Sequence, residues 1–306
     1  MRILVLGAGA VGGYFGGRLL EKGEDVTFLV REKRNQQLRE RGLVIKSIHG
    51  DVVLHPQTLV TGQPSQPFDL ILVSTKSYHL QSAINDLKPY VGEQTVILPL
   101  LNGVGHIETL QEAFGKEKVI GGLCFIETTL NEKGEVVQTS PIHDVVFGEF
   151  SGEKTTRITY INEAFRNTKA NFRLSEHIVQ DMWHKYLFIT TLSGVTTLMR
   201  APIGPIRDVK NGWSFIEKLC TEAANIMRAE QAPIHEDIVQ KHMKTMKNMT
   251  YAMKSSMQRD MEKGYLVEAD HLQGYLLTLA NKHGLETPLL EVVYQNLKIY
   301  EMTMSS

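Results

Sequence analysis

A short apolar run that empties into a glycine-rich turn constrains this chain more than any other feature. Ile3-Leu4-Val5-Leu6 has the length and composition of a buried strand. Gly7-Ala8-Gly9-Ala10-Val11-Gly12 follows it as a GxGxxG motif and leads into a helical stretch. Strand, glycine turn and helix in that order form the context in which such a motif binds a dinucleotide. Gly7 permits the tight turn, Gly9 omits the side chain that would block a pyrophosphate, and Gly12 lets the helix approach the sheet. The helix N-terminus adds unpaired N–H groups and the positive end of its dipole. A dinucleotide is therefore expected on Gly7, Ala8, Gly9, Ala10, Val11 and Gly12; the competing reading is a glycine turn with no ligand.

The rest of the first half repeats the alternation. Val26–Val30, Leu70–Ser74 and Val96–Leu100 are further apolar strands, rich in Val, Ile and Leu as parallel strands buried on both faces are. Residues 141–150 read as another strand region and 158–168 as a helix. From Ser175 onward helical periodicity takes over, with helices expected over 213–230, 234–263, 268–283 and 288–300 and a Pro/Gly break at 201–205. The expected fold class is α/β: a Rossmann-type, doubly wound parallel sheet over 1–170, followed by an all-helical domain over 171–306. Met243, Met246, Met249, Met253, Met257 and Met261 recur at helical spacing with lysines between them. Such a stripe suits either core packing or a membrane-surface helix, and core packing is the commoner use.

The cofactor choice turns on the end of the second strand. NAD enzymes place an acid there, whereas Val30 is followed by Arg31, with Lys33 and Arg34 close behind. A guanidinium at that point suits a 2′-phosphate, so NADPH is expected over NADH, with Glu32 as the competing NAD-type acid. Lys76 and Asn102 sit after the next two strands, on the sheet edge where ligands bind. The formal net charge is −1 across 306 residues, which offers no basic field for nucleic acid. The apolar runs are too short to span a membrane. Because Met1-Arg2 runs straight into the first strand, no leader is expected, and the two cysteines, Cys124 and Cys220, offer no disulfide framework. A cytoplasmic protein with no metal is expected.

With these residues in place the chain resembles the ketopantoate reductase (2-dehydropantoate 2-reductase) family. The likeness rests on residues 7–12, on Lys76, on Leu101-Asn102-Gly103-Val104-Gly105 and on Trp183-His184-Lys185. It continues through Ser255-Ser256-Met257-Gln258-Arg259-Asp260, Glu268-Ala269-Asp270 and Gly274. The resemblance implies hydride transfer from NADPH to the ketone of a small 2-oxo acid. It implies Lys185 as the general acid and Glu268 as the carboxylate that orients ligand groups and helps set the charge state of the lysine. It implies Asn102 at the junction of cofactor and substrate, and Ser256 on the substrate. Lys76 and Glu268 join the cofactor contacts, and a homodimer remains open.

The chain departs from the family pattern where asparagines are expected. Ile189 and Ser193 stand four and eight residues after Lys185, Ile203 stands before Gly204, and Met253 shortly precedes Ser256. Ser193 is still counted among the substrate contacts, with Asn102, Lys185 and Ser256. The pocket is expected to be less polar, with Ile203 closing it from its loop. The alternative substrate is then an apolar branched or aromatic 2-oxo acid, handled as by a D-2-hydroxyacid dehydrogenase. A reading of a different class is a non-catalytic dinucleotide sensor.

Overall fold

The computed structural model describes residues 1–304. They divide into two compact units, one of Met1–Leu101 with His106–Ile178, the other of Asn102–Gly105 with the chain from Val179 onward. No helix among the described residues is long and apolar enough to cross a membrane.

The first unit runs β1 (Arg2–Leu6), α1 (Ala10–Lys22), β2 (Asp25–Val30), α2 (Glu32–Arg41), β3 (Leu43–Ser47), β4 (Val52–Leu54), β5 (Gln57–Val60), β6 (Leu70–Val73) and α3 (Leu80–Leu87). It continues through β7 (Val96–Pro99), α4 (His106–Phe114), β8 (Gly121–Leu130), β9 (Val136–Gly148), α5 (Thr156–Phe165) and β10 (Asn171–Leu174). β5-β2-β1-β6-β7 form one all-parallel sheet. Val5 lies opposite Phe28 on one side and Leu72 on the other. Leu4 and Ile71 are fully buried, and burying such a side chain contributes roughly 1.5–3 kcal/mol. The chain reverses its direction of travel across the sheet between β1 and β6, and the Gly7–Gly9 turn emerges at that switch point.

A second sheet, β10-β9-β3-β4 with β8 paired to β9, was not foreseen beyond its β9 segment. β9 alternates buried and exposed residues over much of its length, and β3 carries Lys46 on an exposed position. Half-solvated strands lack the continuous apolar runs that reveal a buried parallel sheet. β10 pairs in parallel with β9, so residues 171–174 belong with the first unit, beyond the boundary read from periodicity.

α1 is wedged between the two sheets, and its sequence explains how. A Cβ on Gly16 would sit 2.7 Å from Val5 and 2.9 Å from Phe28 of the parallel sheet. One on Gly13 would sit 2.9 Å from Val136 and one on Gly17 2.5 Å from Ile45, both in the second sheet. Residues four apart share a helix face, so two glycine pairs thin the helix on two sides.

The second unit contains helices and no strand among the described residues: α6 (Ile178–Met199), α7 (Ile203–Asp208), α8 (Gly212–Ala229), α9 (Ile238–Asn248), α10 (Ser256–Glu262), α11 (Tyr275–Lys282) and α12 (Pro288–Met304). The single helix expected over 234–263 is two. Arg207 Nη1 donates to the carbonyls of Met246, Lys247 and Met249 at 2.9, 2.7 and 3.0 Å, which satisfies the end of α9. The backbone N–H groups of Ile203 and Gly204 then take the carbonyls of Met253 and Tyr251. These tertiary bonds draw the chain out of its helix before Ser255 caps α10. The methionine stripe packs inward as the core reading held: Met243, Met246 and Met257 are buried, with Met249, Met253 and Met261 packed against the same core.

Candidate functional site

The glycine turn needs each of its three glycines for a different reason. Gly7 has φ +86 and donates its N–H to the Leu29 carbonyl at 2.9 Å, tying the turn to the end of β2. A Cβ on Gly9 would meet nothing within 4 Å, whereas one on Gly12 would collide with Ser74 Oγ and the Gly7 carbonyl. Gly9 thus keeps open the space in front of the helix, and Gly12 lets α1 close on the sheet. No acidic residue stands in the first turn of α1 to compete with an anion. These residues fit a dinucleotide pyrophosphate.

Arg31 follows β2 in extended conformation and is exposed at the N-cap of α2. Burial first, and then the Arg31 charge, lower the pKa of His79 below the usual histidine range. Arg31 therefore shares a sheet edge with the short turn Ser77–His79, whose N-cap is Lys76. Lys76 is half-buried there. Arg34 has a different task. It turns inward, its Nε donating to the Ala8 carbonyl at 3.1 Å and its Nη1 to the Gly134 carbonyl at 2.9 Å.

The remaining sequence-predicted residues all belong to the second unit. Lys185, on α6, is only 6% exposed and Glu268 9%, and side chains of this kind are almost never so buried without a specific reason. Asn102 is half-buried, and its carbonyl accepts from His271 Nε2 at 2.6 Å. Gly103 beside it has φ +77, and a Cβ there would meet His271 at 3.2 Å and Leu272 at 3.3 Å. Ser256 is exposed in the first turn of α10. Its neighbour Ser255 is buried, caps the helix through Gln258 N at 3.0 Å and bonds Thr196 Oγ1 at 2.8 Å.

Sequence reading missed what joins these pieces. After Glu268 the chain makes a wide π-type turn over Asp270–Gly274, a form frequent at functional sites. Successive residues of the turn reach different elements. Asp270 accepts from Tyr294 Oη at 2.7 Å and Lys298 Nζ at 2.9 Å on α12. His271 holds the Asn102 carbonyl. The Leu272 carbonyl accepts from Tyr186 Oη on α6 at 2.5 Å, and Gln273 Nε2 donates to Ser193 Oγ at 3.0 Å and the Thr190 carbonyl at 3.3 Å, also on α6. The turn fastens the helix of Lys185, the loop of Asn102 and the middle of α12 to one short segment beginning at Glu268. Only the insertion-like extra residue per turn marks it, and no periodicity in the sequence shows that.

The positions that depart from the family pattern separate in the structure. Ile203 is fully buried in the helical core, so it does not close a pocket as expected. Ser193 is 3% exposed, accepting from Gln273 while it donates weakly to the Thr190 carbonyl at 3.4 Å. Ile189 and Met253 are partly exposed at the rim of the core. His184, adjacent to Lys185, is locked on both sides: its Nε2 accepts from His235 N at 3.0 Å, and its carbonyl takes His242 Nε2 at 2.8 Å. Burial, more than the neighbouring imidazole, holds His242 at about 4 and also lowers His184.

Residues 3–152 match the profile of ketopantoate reductase PanE/ApbA, and residues 177–301 match the profile of the ketopantoate reductase PanE/ApbA C terminal domain. The chain belongs to the ketopantoate reductase family. Within reach of this family, the chain is 48% identical over 301 residues to the uncharacterized oxidoreductase YkpB of Bacillus subtilis (strain 168), covering 98% of this chain and 99% of that one. The crystal structure of 2-dehydropantoate 2-reductase from Geobacter metallireducens GS-15 superposes with a TM-score of 0.89 at 28% identity, over 97% of this chain and 99% of that one. D-mandelate dehydrogenase, in a ternary structure with NADH and anilino(oxo)acetate, shares the fold at a TM-score of 0.90 and 22% identity, with 100% of each chain covered.

Proposed function

We propose that this chain is an NADPH-dependent reductase that converts a small 2-oxo acid to the 2-hydroxy acid, with 2-dehydropantoate as the leading substrate. For that substrate the reaction belongs to pantothenate biosynthesis in the cytoplasm. The observation that carries the reading is a buried lysine, Lys185, held with Glu268 and Asn102 in one unit tied together through the 270–274 turn. A sensor that merely bound a dinucleotide would have no use for a buried proton donor.

Gly7, Gly9 and the N-terminus of α1 would hold the pyrophosphate, and Arg31 and Lys76 would face the adenosine end, Arg31 taking the 2′-phosphate. The bound nicotinamide supplies the hydride. Lys185 acts at the substrate carbonyl oxygen. An ammonium in a dry site stabilises the negative charge that grows on that oxygen and then donates its proton there. Glu268 orients ligand groups and helps set the charge state of the lysine. The Asn102 amide bridges cofactor and substrate, and Ser256 donates to the substrate. Ser193 is a weaker candidate for substrate contact, because its hydroxyl is already engaged by Gln273.

A second reading, reduction of an apolar branched or aromatic 2-oxo acid, is favoured by Ile189 and Met253 at the rim of the core in place of amides. Both are tested by a panel of 2-oxo acids, including 2-dehydropantoate, 2-oxoisovalerate and phenylglyoxylate, assayed with NADPH and NADH by loss of absorbance. Turnover of 2-dehydropantoate above the others supports the first reading, and preference for an apolar acid the second. Dinucleotide binding with no turnover of any acid would leave only the sensor.

A further inference from the structure

The tip of the β8–β9 hairpin is built with more care than a surface turn requires. Asn131 Oδ1 accepts from the N–H groups of Lys133 and Glu135 at 3.1 and 3.0 Å, and Asn131 Nδ2 donates to Glu135 Oε2 at 2.7 Å. Gly134, at φ +75, closes the turn and donates its N–H to the Asn131 carbonyl at 2.9 Å. The result is a Gly134 carbonyl aimed at Arg34 Nη1, 2.9 Å away. Gln37 Oε1 accepts from the same nitrogen at 3.2 Å, from the next turn of α2. A guanidinium is a planar fork, so fixing one arm fixes the rest. The arm so aimed is Nε, which donates to the Ala8 carbonyl.

We infer that Arg34 is a positioning residue for the dinucleotide site, a strut from the β8–β9 hairpin to the glycine-rich turn that sets the direction of the Gly9 N–H. The geometry follows from the peptide bond. In a trans peptide the C=O and the following N–H point in opposite directions within one plane. Pinning the Ala8 oxygen toward Arg34 turns the Gly9 N–H the other way. Gly9 is the N-cap of α1, and a Cβ there would meet no atom within 4 Å. Arg34 makes this arrangement at some expense, because its Nη2 is buried without a hydrogen-bond partner, and a buried donor left without an acceptor is destabilising. The guanidinium is thus kept for where it holds Ala8 rather than for its own stability.

The inference rests on the dinucleotide reading and separates from it experimentally. Titration calorimetry with NADPH and with NADH on wild type, Arg34→Met, Arg34→Lys and Arg31→Ala distinguishes the roles, with circular dichroism to establish that each variant folds. Arg34→Met should weaken both dinucleotides by the same factor, roughly tenfold, the size expected for losing a charge-assisted hydrogen bond. Arg34→Lys, with a point charge instead of a fork, should restore only part. The loss should appear in the KM for dinucleotide more than in kcat. Gly134→Ala offers an independent route, since its Cβ would sit 2.7 Å from Arg34 Nη1; it should weaken both dinucleotides in the same direction. Arg31→Ala, by contrast, should penalise NADPH selectively. Unchanged affinities in Arg34→Met, or a loss confined to NADPH, would overturn the strut; the latter would make Arg34 a direct 2′-phosphate ligand. A wild type that binds neither dinucleotide would sink the dinucleotide reading itself.

Discussion

The two units prepare for a ligand with different materials. In the first, the candidate site is chiefly backbone: an open face at Gly9, a left-handed Gly7 and the start of α1, with cations at its margin. In the second it is side chains taken out of water, Lys185 and Glu268, held by a turn whose residues reach two helices and a loop. Backbone N–H groups recognise what every dinucleotide shares. Buried side chains can be retuned one at a time. The contrast predicts that damage to the first unit is felt in binding and damage to the second in turnover.

The largest effect tests the second half of that contrast. Lys185→Ala should lower kcat by about 10²–10⁴-fold, the usual share of general acid catalysis, while the dissociation constant for NADPH, measured by calorimetry, stays within a small factor. Near-normal turnover would break the contrast outright.

Next in size is an acid sensitivity belonging to the helical unit. His242 sits at about 4 in the folded protein against 6.5 for the free side chain, chiefly through burial. Because the folded-state value is the lower one, the unfolded chain takes up the proton first as pH falls. Stability present above about pH 6.5 is then lost down to about pH 4, by roughly 3 kcal/mol from this group. His242→Gln keeps a donor for the His184 carbonyl but cannot titrate, so denaturant midpoints measured between pH 7 and 4.5 should fall less steeply than in wild type. Parallel slopes would mean that His242 is not the group responsible.

The first unit should fail differently. Gly12→Ala drives a methyl into Ser74 and the Gly7 carbonyl, an overpacking that costs about 1–3 kcal/mol. Thermal melting should show that loss together with weakened NADPH binding. A variant that loses stability but binds normally would separate the helix seat from the phosphate site.

The smallest expected effect sharpens the substrate question. Ile189→Asn should move the ratio of catalytic efficiencies for 2-dehydropantoate and 2-oxoisovalerate toward the former by about tenfold, since a substrate hydroxyl facing an apolar side chain loses a hydrogen bond of about 1–3 kcal/mol. A ratio that stays put would remove Ile189 from the pocket.

What the sequence made legible follows the same division. The parallel strands announced themselves because burial on both faces leaves them almost purely apolar, as in Leu70–Val73. β8 and the first part of β9 did not: β8 is buried only over its first four residues and β9 begins on alternating positions, so only the later, more buried part of β9 reads as a strand. The helix break at Met249 depends on Arg207, forty-two residues away, reaching its carbonyl, and no local pattern encodes such a reach. Lys185 could be singled out only by its likeness to a family, because a lysine in a helix reads as solvated until its burial is seen. Ile203 shows the converse. The resemblance leads one to expect an asparagine there, but as a fully buried core residue Ile203 says nothing about the pocket.

The glycine pairs of α1 carry a practical consequence for anyone redesigning this protein. A helix gripped by two sheets arrives at its ligand already in shape, so little ordering remains to be done when the ligand binds. The same grip makes the helix a poor place for engineering, since nearly any larger residue at 12, 13, 16 or 17 must displace a strand. Cofactor preference should be altered instead at Arg31, which stands exposed outside both sheets and can be exchanged without rebuilding what the helix rests on.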